Sequence, residues 1–210
     1  MLFAAGAWSF PLCFLVTAMD QFGIPQAFCN QVASALAQTI EEGRPIHPWN
    51  QPYAAILYSL PNSVALSEIA DKGTEVGRMR NRRGELNNHN AHAEQLLLHL
   101  PEVAAQLTEN HDNPNLRSTF VIFTNTPSCI GCLGGIINAQ IQNIFYFVET
   151  EDADKLPRDQ VTGRSIHARD IVGMYAGKVA GIQFGQLACD ERLKQRLANQ
   201  QSSEYWIPER

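Results

Sequence analysis

Positive charge is scarce in this chain and is missing altogether from its first 43 residues. The 210 residues contain 16 Lys and Arg against 21 Asp and Glu, which gives a formal net charge of −5. Non-specific binding to nucleic acid depends on Lys and Arg. The chain as a whole therefore offers no electrostatic attraction to nucleic acid, and any basic surface that binds it must be local.

Cysteine is also sparse, because five residues are too few for a disulfide scaffold in a chain of this length. Two of them, Cys129 and Cys132, have the two-residue gap that metal sites and redox pairs use. The other three cysteines, Cys13, Cys29 and Cys189, belong to no such motif. Their positions in the sequence leave open whether Cys29 and Cys189 meet.

An apolar run long enough for a membrane span is absent as well. Residues 1–19 are apolar, but Pro11 interrupts them and Asp20 closes the run. Small residues up to Ala18 resemble the pattern before a signal cleavage site, whereas the lack of a basic residue at the start argues against one. Residues 1–26 are therefore predicted to be a separate apolar segment, either a signal peptide or a buried helix.

The rest of the chain shows no internal repeat and no low-complexity tract, and 45% hydrophobic residues suffice for a core. Residues 27–210 are therefore predicted to form a single soluble domain with no membrane span. We expect this domain in the cytoplasm, or outside the cell if residues 1–18 are removed as a signal peptide. The oligomeric state stays open.

The order of hydrophobic patterns predicts a layered α/β domain. Residues 27–42 have apolar side chains at helical spacing, and two short apolar runs, 53–59 and 64–70, predict a strand hairpin. A helix is predicted over 91–107, where Pro101 should kink or split it. The later elements are predicted as strands over 119–124, 144–149 and 178–184 and as helices over 129–142, 166–175 and 190–200.

Two short motifs carry the chemistry. His92 and Glu94 lie in the first turn of the helix predicted over 91–107, and Cys129 and Cys132 directly follow a buried strand. Zn²⁺ takes imidazole nitrogen and thiolate sulfur, and three protein ligands leave its fourth tetrahedral position for water, as in catalytic sites. We therefore predict that His92, Cys129 and Cys132 bind Zn²⁺. Glu94 is predicted to be the proton shuttle, which takes a proton from the zinc-activated water and delivers protons to the substrate.

In these residues the chain resembles the zinc-dependent cytidine deaminase superfamily, whose pattern is His-x-Glu on one helix and Pro-Cys-x-x-Cys on the next. The resemblance implies a cytidine deaminase-like three-layer α/β/α fold with a five-stranded mixed sheet, and hydrolytic deamination of a nucleobase. Within the superfamily it resembles the AID/APOBEC-like or bacterial toxin-like branches, although the aromatic-Ser-Pro-Cys segment of the AID/APOBEC branch is replaced here by residues 125–128, which include no Trp. One departure is plain: Ser128 stands between Pro127 and Cys129, where the family pattern has proline directly before cysteine.

The connection between the last two strands bears on the substrate. A helix over 166–175 makes those strands parallel, as in the nucleic-acid-editing branches, whereas a hairpin would resemble the free-nucleoside branch. We predict the helix.

Four arginines occupy residues 78–83, just ahead of the first motif, with no acidic residue among them. This predicted loop suits phosphate contacts, and enzymes that act on a base in a polymer hold the flanking backbone by charge. The leading prediction is therefore deamination of cytosine to uracil in single-stranded DNA or RNA. The predicted substrate contacts are Arg82, Arg83, Asn88, Asn90, Thr126 and Ser128.

Two alternatives stay open. The acidic net charge favours an enzyme that deaminates a free nucleoside or nucleotide. A non-catalytic zinc-binding interaction module is a different class, because a Cys-x-x-Cys pair is often a structural zinc site. Adenine, guanine and other amino-substituted rings also stay possible, since the sequence does not define the shape of the pocket.

Overall fold

The centre of the molecule is a mixed sheet of five strands. The computed structural model describes residues 19–43, 51–113, 118–149 and 181–201. The strands are β1 (Ala54–Pro61), β2 (Thr74–Arg80), β3 (Ser118–Thr124), β4 (Asn143–Tyr146) and β5 (Gln183–Gln186). Their order is β2-β1-β3-β4-β5. Because β1 is antiparallel to both β2 and β3 while β3, β4 and β5 are parallel, the predicted mixed sheet is confirmed.

The helices surround this sheet. Pro101 begins the second of two consecutive helices, because proline lacks an N–H and disfavours helical backbone at the residue before it, Leu100. The predicted split is thus confirmed. The helices are α1 (Gln26–Gly43), α2 (Ile69–Lys72), α3 (Arg83–Leu86), α4 (Ala93–Leu98), α5 (Pro101–Asp112), α6 (Ile130–Asn138) and α7 (Glu191–Asn199).

The core has two halves, one on each face of the sheet. Alternate residues of a strand point to opposite faces, so Ile56 and Phe123 pack with α1 while Leu57 and Ile122 pack with α4 and α6. Apolar residues of α7 such as Leu197 belong to the α1 side. This arrangement is the three-layer α/β/α fold that the sequence predicts.

The second strand of the sheet lies elsewhere than predicted. Residues 64–70 form no strand: they contain a 3-10 turn (Leu66–Glu68) and the start of α2. The strand is β2, which lies at the edge of the sheet and has only one buried side chain, Val76. Edge strands carry many polar residues, and this composition hides β2 from a search for apolar runs. Consequently Arg78 and Arg80 belong to a strand, and residues 78–83 are not a loop.

At the edge of the sheet opposite β2, the last two strands are parallel, as predicted. β5 begins at Gln183, near the end of the strand predicted over 178–184, and it pairs in parallel with β4. The predicted helix over 166–175 lies outside the described residues, as does the apolar segment 1–18. Among the described helices, none is both long and apolar enough to cross a membrane.

Candidate active site

Two helix starts form the candidate site, and both lie on the same face of the sheet. His92 directly precedes α4 and Cys129 directly precedes α6, each with extended backbone (ψ of 152° and 162°). Cys132 lies in the first turn of α6 and is buried. The chain from β3 reaches α6 at the carboxyl end of the strand, which is where open α/β sheets place their ligands.

A close approach between α4 and α6 fixes these helix starts relative to each other. The side chain of Gln95 donates a hydrogen bond to the backbone oxygen of Gly131 at 3.2 Å. A Cβ atom at Gly135 would lie 2.7 Å from the Gln95 amide nitrogen. Glycine at 135 therefore lets Gln95 lie directly on α6 and connect the two motifs.

The three predicted ligands meet in the structure. The ligand atoms of His92, Cys129 and Cys132 all lie within 4.8 Å of one another. His92 Nδ1 is 3.6 Å from Cys129 Sγ and 3.5 Å from Cys132 Sγ. A tetrahedral zinc ion with Zn–S bonds of about 2.3 Å and Zn–N bonds of about 2.0–2.1 Å sets nitrogen and sulfur ligands roughly 3.5–3.6 Å apart. The donor set thus fits a zinc ion in both chemistry and spacing.

The charges of the group also suit a cation. A hydrogen bond from the Cys132 thiol, with a further one from His92, lowers the pKa of Cys129 to about 4. The same contact with Cys129, together with burial and the nearby Glu94, raises the pKa of Cys132. The hydrogen bond to Cys129 raises the pKa of His92, against burial and the positive charge of Arg83. Metal ligands must be deprotonated, and the contacts with Cys132 and His92 favour the thiolate form of Cys129.

Glu94 lies beside the three ligands and is 6% exposed. Burial raises the pKa of Glu94, while its own backbone N–H and the nearby Ser128 hydroxyl act in the opposite direction. Its contact with the Cys132 thiol places the carboxylate at the edge of the ligand group. A carboxylate in this position can take up and return a proton within a site largely shielded from water.

Asn81 is a candidate site residue that the sequence analysis missed. It follows β2 and is 1% exposed. Its Oδ1 accepts a hydrogen bond from the Arg83 N–H at 3.0 Å, which fixes the amide orientation, while its buried Nδ2 has no partner among the described residues. A buried polar group without a partner costs about 1–3 kcal/mol. The next residue, Arg82, bonds through its N–H to the oxygen of Ala91, beside His92, which places Asn81 near the site.

The segment between β3 and α6 holds two other predicted contact residues, Thr126 and Ser128. Both are buried. The backbone oxygen of Thr126 accepts a hydrogen bond from the Thr124 hydroxyl at 2.7 Å. Ser128 is 3% exposed, and its Oγ makes no hydrogen bond of good geometry within the part of the chain that the structure describes. Ser128 directly precedes the predicted ligand Cys129, and its hydroxyl is near the Glu94 carboxylate.

The arginine-rich segment is largely neutralised by acidic side chains. Arg78 donates to Glu75 at 2.6 Å, and Arg82 donates to Glu85 at 3.0 Å. Arg80 also pairs with Glu85. Residues 78–83 include no acid, but the fold supplies acids from both sides of that segment. The predicted basic surface is therefore much weaker than its sequence indicates.

Arg83 differs from the other three arginines because no carboxylate pairs with it among the described residues. Its guanidinium contacts Gln51 Oε1 and His89 Nδ1, each at 2.9 Å. The predicted contacts Asn88 and Asn90 lie on the exposed turn that follows, where Asn88 Oδ1 accepts a hydrogen bond from the Asn90 N–H at 2.9 Å. The Asn88 side chain is thus used to shape the turn.

Comparison with known proteins supports the fold. No protein family model matches the chain, and no curated protein matches it. The structure is similar to guanine deaminase from Nitrosomonas europaea, with a TM-score of 0.56 and 18% identity over 96% of this chain and 98% of that one. It is also similar to Aspergillus oryzae Rib2 deaminase, with a TM-score of 0.51 and 20% identity over 86% of this chain and 95% of that one. Both neighbours are named as deaminases, and the chain has their fold.

Proposed function

We propose that this protein is a zinc-dependent hydrolytic deaminase of an amino-substituted nucleobase. One observation carries the proposal: His92 Nδ1 and the sulfurs of Cys129 and Cys132 converge at the spacing of tetrahedral zinc, with the buried carboxylate of Glu94 beside them. A structural zinc site is usually closed by a fourth protein ligand. Among the described residues, the three-membered group includes no fourth His, Cys or acidic ligand.

Glu94 and Asn81 have different roles in the proposed deamination. Zinc, when bound, supplies a Lewis acid that lowers the pKa of a water molecule toward neutrality. Glu94 would accept one proton of the attacking water and pass it to the ring nitrogen, then accept the second proton from the hydroxyl formed on the ring carbon and pass it to the amino group, which leaves as ammonia. Asn81 offers a buried N–H donor, so the substrate ring should present an acceptor such as a carbonyl oxygen to it.

The electrostatics favour a free base, nucleoside or nucleotide as the substrate. Three of the four arginines that were expected to hold a nucleic-acid strand are paired with Glu75 or Glu85. Arg80 and Arg82 share the single carboxylate of Glu85. Among the described residues Arg83 is the arginine of this segment without a carboxylate partner, which suits a single phosphate better than a polymer backbone. The similarity to an enzyme named guanine deaminase adds support for a small substrate.

A second candidate is cytosine in single-stranded DNA or RNA, deaminated to uracil by an enzyme of the AID/APOBEC-like or bacterial toxin-like branches. The parallel pairing of β4 with β5 favours it, because the resemblance to the superfamily associates this pairing with nucleic-acid-editing enzymes. Arg82 and Arg83 would then contact the strand, and Asn88, Asn90 and Thr126 would contribute to binding near the base.

Ammonia release separates these candidates. The zinc-loaded protein is incubated with guanine, adenine, cytosine, cytidine or cytidine 5′-monophosphate, and in parallel with a cytosine-containing single-stranded oligonucleotide whose uracil content is measured. We expect turnover of at least one small substrate and none of the oligonucleotide. Uracil formation in the oligonucleotide alone would instead establish the polymer as the substrate.

Replacing Arg83 with Ala tests the anionic contact. We expect the KM of a phosphorylated substrate to rise about 10-fold or more, since hydrogen bonds to charged groups contribute about 1.5–3 kcal/mol. The salt dependence of KM should also become shallower. The matched control is Arg78→Ala, because Arg78 is already paired with Glu75. Equal effects of the two substitutions would show that Arg83 makes no specific contact with the substrate.

A further inference from the structure

Ser128 has a buried hydroxyl that the fold does not explain. It occupies the position before Cys129 where the superfamily pattern has proline, a residue with neither a hydroxyl nor a backbone N–H. The Ser128 side chain is buried, and its Oγ lacks a well-formed hydrogen bond to any described residue. Buried polar atoms are almost always satisfied in native structures, and exceptions often mark functional positions.

Neighbouring residues show how a purely structural polar side chain behaves in this segment. The Thr124 hydroxyl donates toward the oxygens of Thr126 and Phe145, at 2.7 and 3.3 Å. The Asn125 side chain accepts from the Ala54 N–H at 2.9 Å and also donates to a backbone oxygen. These side chains connect the strand ends to one another. Ser128 is similarly buried but makes no such bond to the backbone of the described residues, and the polar group near its hydroxyl is the Glu94 carboxylate.

The position of Ser128 suggests what completes its hydrogen bonding. Its hydroxyl lies near the Glu94 carboxylate, and it directly precedes the predicted ligand Cys129. A serine hydroxyl has one O–H donor and two lone pairs that accept. It can therefore donate to a carboxylate and, at the same time, accept an N–H from a third group in the site.

We infer that Ser128 Oγ accepts a hydrogen bond from the amino group that leaves the substrate ring while its O–H donates to Glu94. This inference rests on the proposed function and assigns a residue to its leaving group. The contact orients the amino nitrogen toward Glu94, which protonates it before the carbon–nitrogen bond breaks and ammonia departs. It also makes Ser128 selective for rings that carry an N–H donor at the reacting carbon.

The test compares leaving groups on the same ring. Ser128→Ala is assayed with the reacting base and with its chloro analogue, which is 2-chlorohypoxanthine for guanine, 6-chloropurine for adenine or 4-chloropyrimidin-2-one for cytosine. Water replaces ammonia in one case and chloride in the other, and both give the same product. We expect kcat for the amino substrate to fall about 10-fold or more, with kcat for the chloro analogue changed less than about 3-fold. Ser128→Thr, which keeps the hydroxyl, should restore deamination.

A stability measurement provides a second arm that does not need turnover. Ser128 Oγ makes no well-formed hydrogen bond to the described residues, so Ser128→Ala should lower Tm by less than Thr124→Val does. Thr124→Val, which removes a hydroxyl bonded to the backbone, is the matched control. Zinc content is measured for each variant. A fall in Tm for Ser128→Ala as large as that for Thr124→Val, or an equal loss of activity on both leaving groups, would overturn the inference by showing a structural role.

The two proposals fail in different ways. If the unaltered chain releases ammonia and Ser128→Ala retains its full rate, the inference about Ser128 is wrong while the proposed function holds. If the unaltered, zinc-loaded chain acts on none of the bases, the proposed function is wrong and the assignment of Ser128 to a leaving amino group falls with it.

Discussion

Replacing Glu94 with Gln is expected to lower the rate of ammonia release by a factor on the order of 10²–10⁴, the usual contribution of general acid–base catalysis. Glutamine keeps the shape of the buried side chain but has no carboxylate to take up or return a proton. Since the predicted zinc ligands are His92, Cys129 and Cys132, the ion should remain bound. Initial rates and zinc content are measured on the same preparations.

The control for this substitution is Glu102→Gln, because Glu102 is an exposed acid in the first turn of α5. Its rate should equal that of the unaltered chain. Full activity of Glu94→Gln would remove Glu94 from the mechanism. Loss of zinc from Glu94→Gln would show that the carboxylate supports the metal site. An unaltered chain that holds zinc but deaminates nothing would instead indicate the non-catalytic interaction module.

The convergence of the three predicted metal ligands could be foreseen because each motif depends on a short stretch of sequence. His92 and Glu94 lie two residues apart at one helix start, and Cys129 and Cys132 lie three apart at another, so each pair is placed by local helix geometry alone. A buried strand before the second pair, β3, indicates the sheet edge at which the helix begins. The fold then has only to bring the two helix starts together.

Asn81 could not be predicted in the same way, because its burial depends on contacts that are distant in sequence. Its N–H donates to the backbone oxygen of Tyr53 at 2.8 Å, just beyond the pairing of Ala54 with Arg80. The strand that leads to Asn81 was itself misplaced in the sequence analysis. In the sequence, an asparagine between Arg80 and Arg82 looks like part of an exposed basic segment.

The charge of the arginine-rich segment also depends on contacts that the order of residues does not reveal. Their number and adjacency indicate a basic surface, yet their net effect depends on where Glu75 and Glu85 fall. A bulge in β2, where Gly77 pairs with Leu57 but Glu75 pairs with Tyr58, puts Glu75 on the same face as Arg78. The short helix α3 turns Glu85 back toward Arg80 and Arg82. Charge patterns in a sequence therefore locate a polar region more reliably than they define its potential.

Replacing Cys132 with Ser is expected to weaken zinc binding by more than about 10²-fold, since loss of an outer-shell partner alone typically costs 10–100-fold. A serine hydroxyl does not ionise near neutral pH, and oxygen matches zinc less well than thiolate sulfur. Cys132 is buried in the first turn of α6, so a replacement ligand has little room to enter. Zinc affinity is measured by competition with a chromophoric chelator.

Cys29→Ser provides the matched control for Cys132→Ser. Cys29 is a free, buried cysteine on the core-facing side of α1, and burial raises its pKa to about 12, so it stays a neutral thiol. Its substitution should leave zinc affinity and ammonia release unchanged, although it alters a core position of similar burial. If both serine variants bind zinc as the unaltered chain does, Cys132 is not a ligand, and the three-residue site on which the deaminase proposal depends must be abandoned.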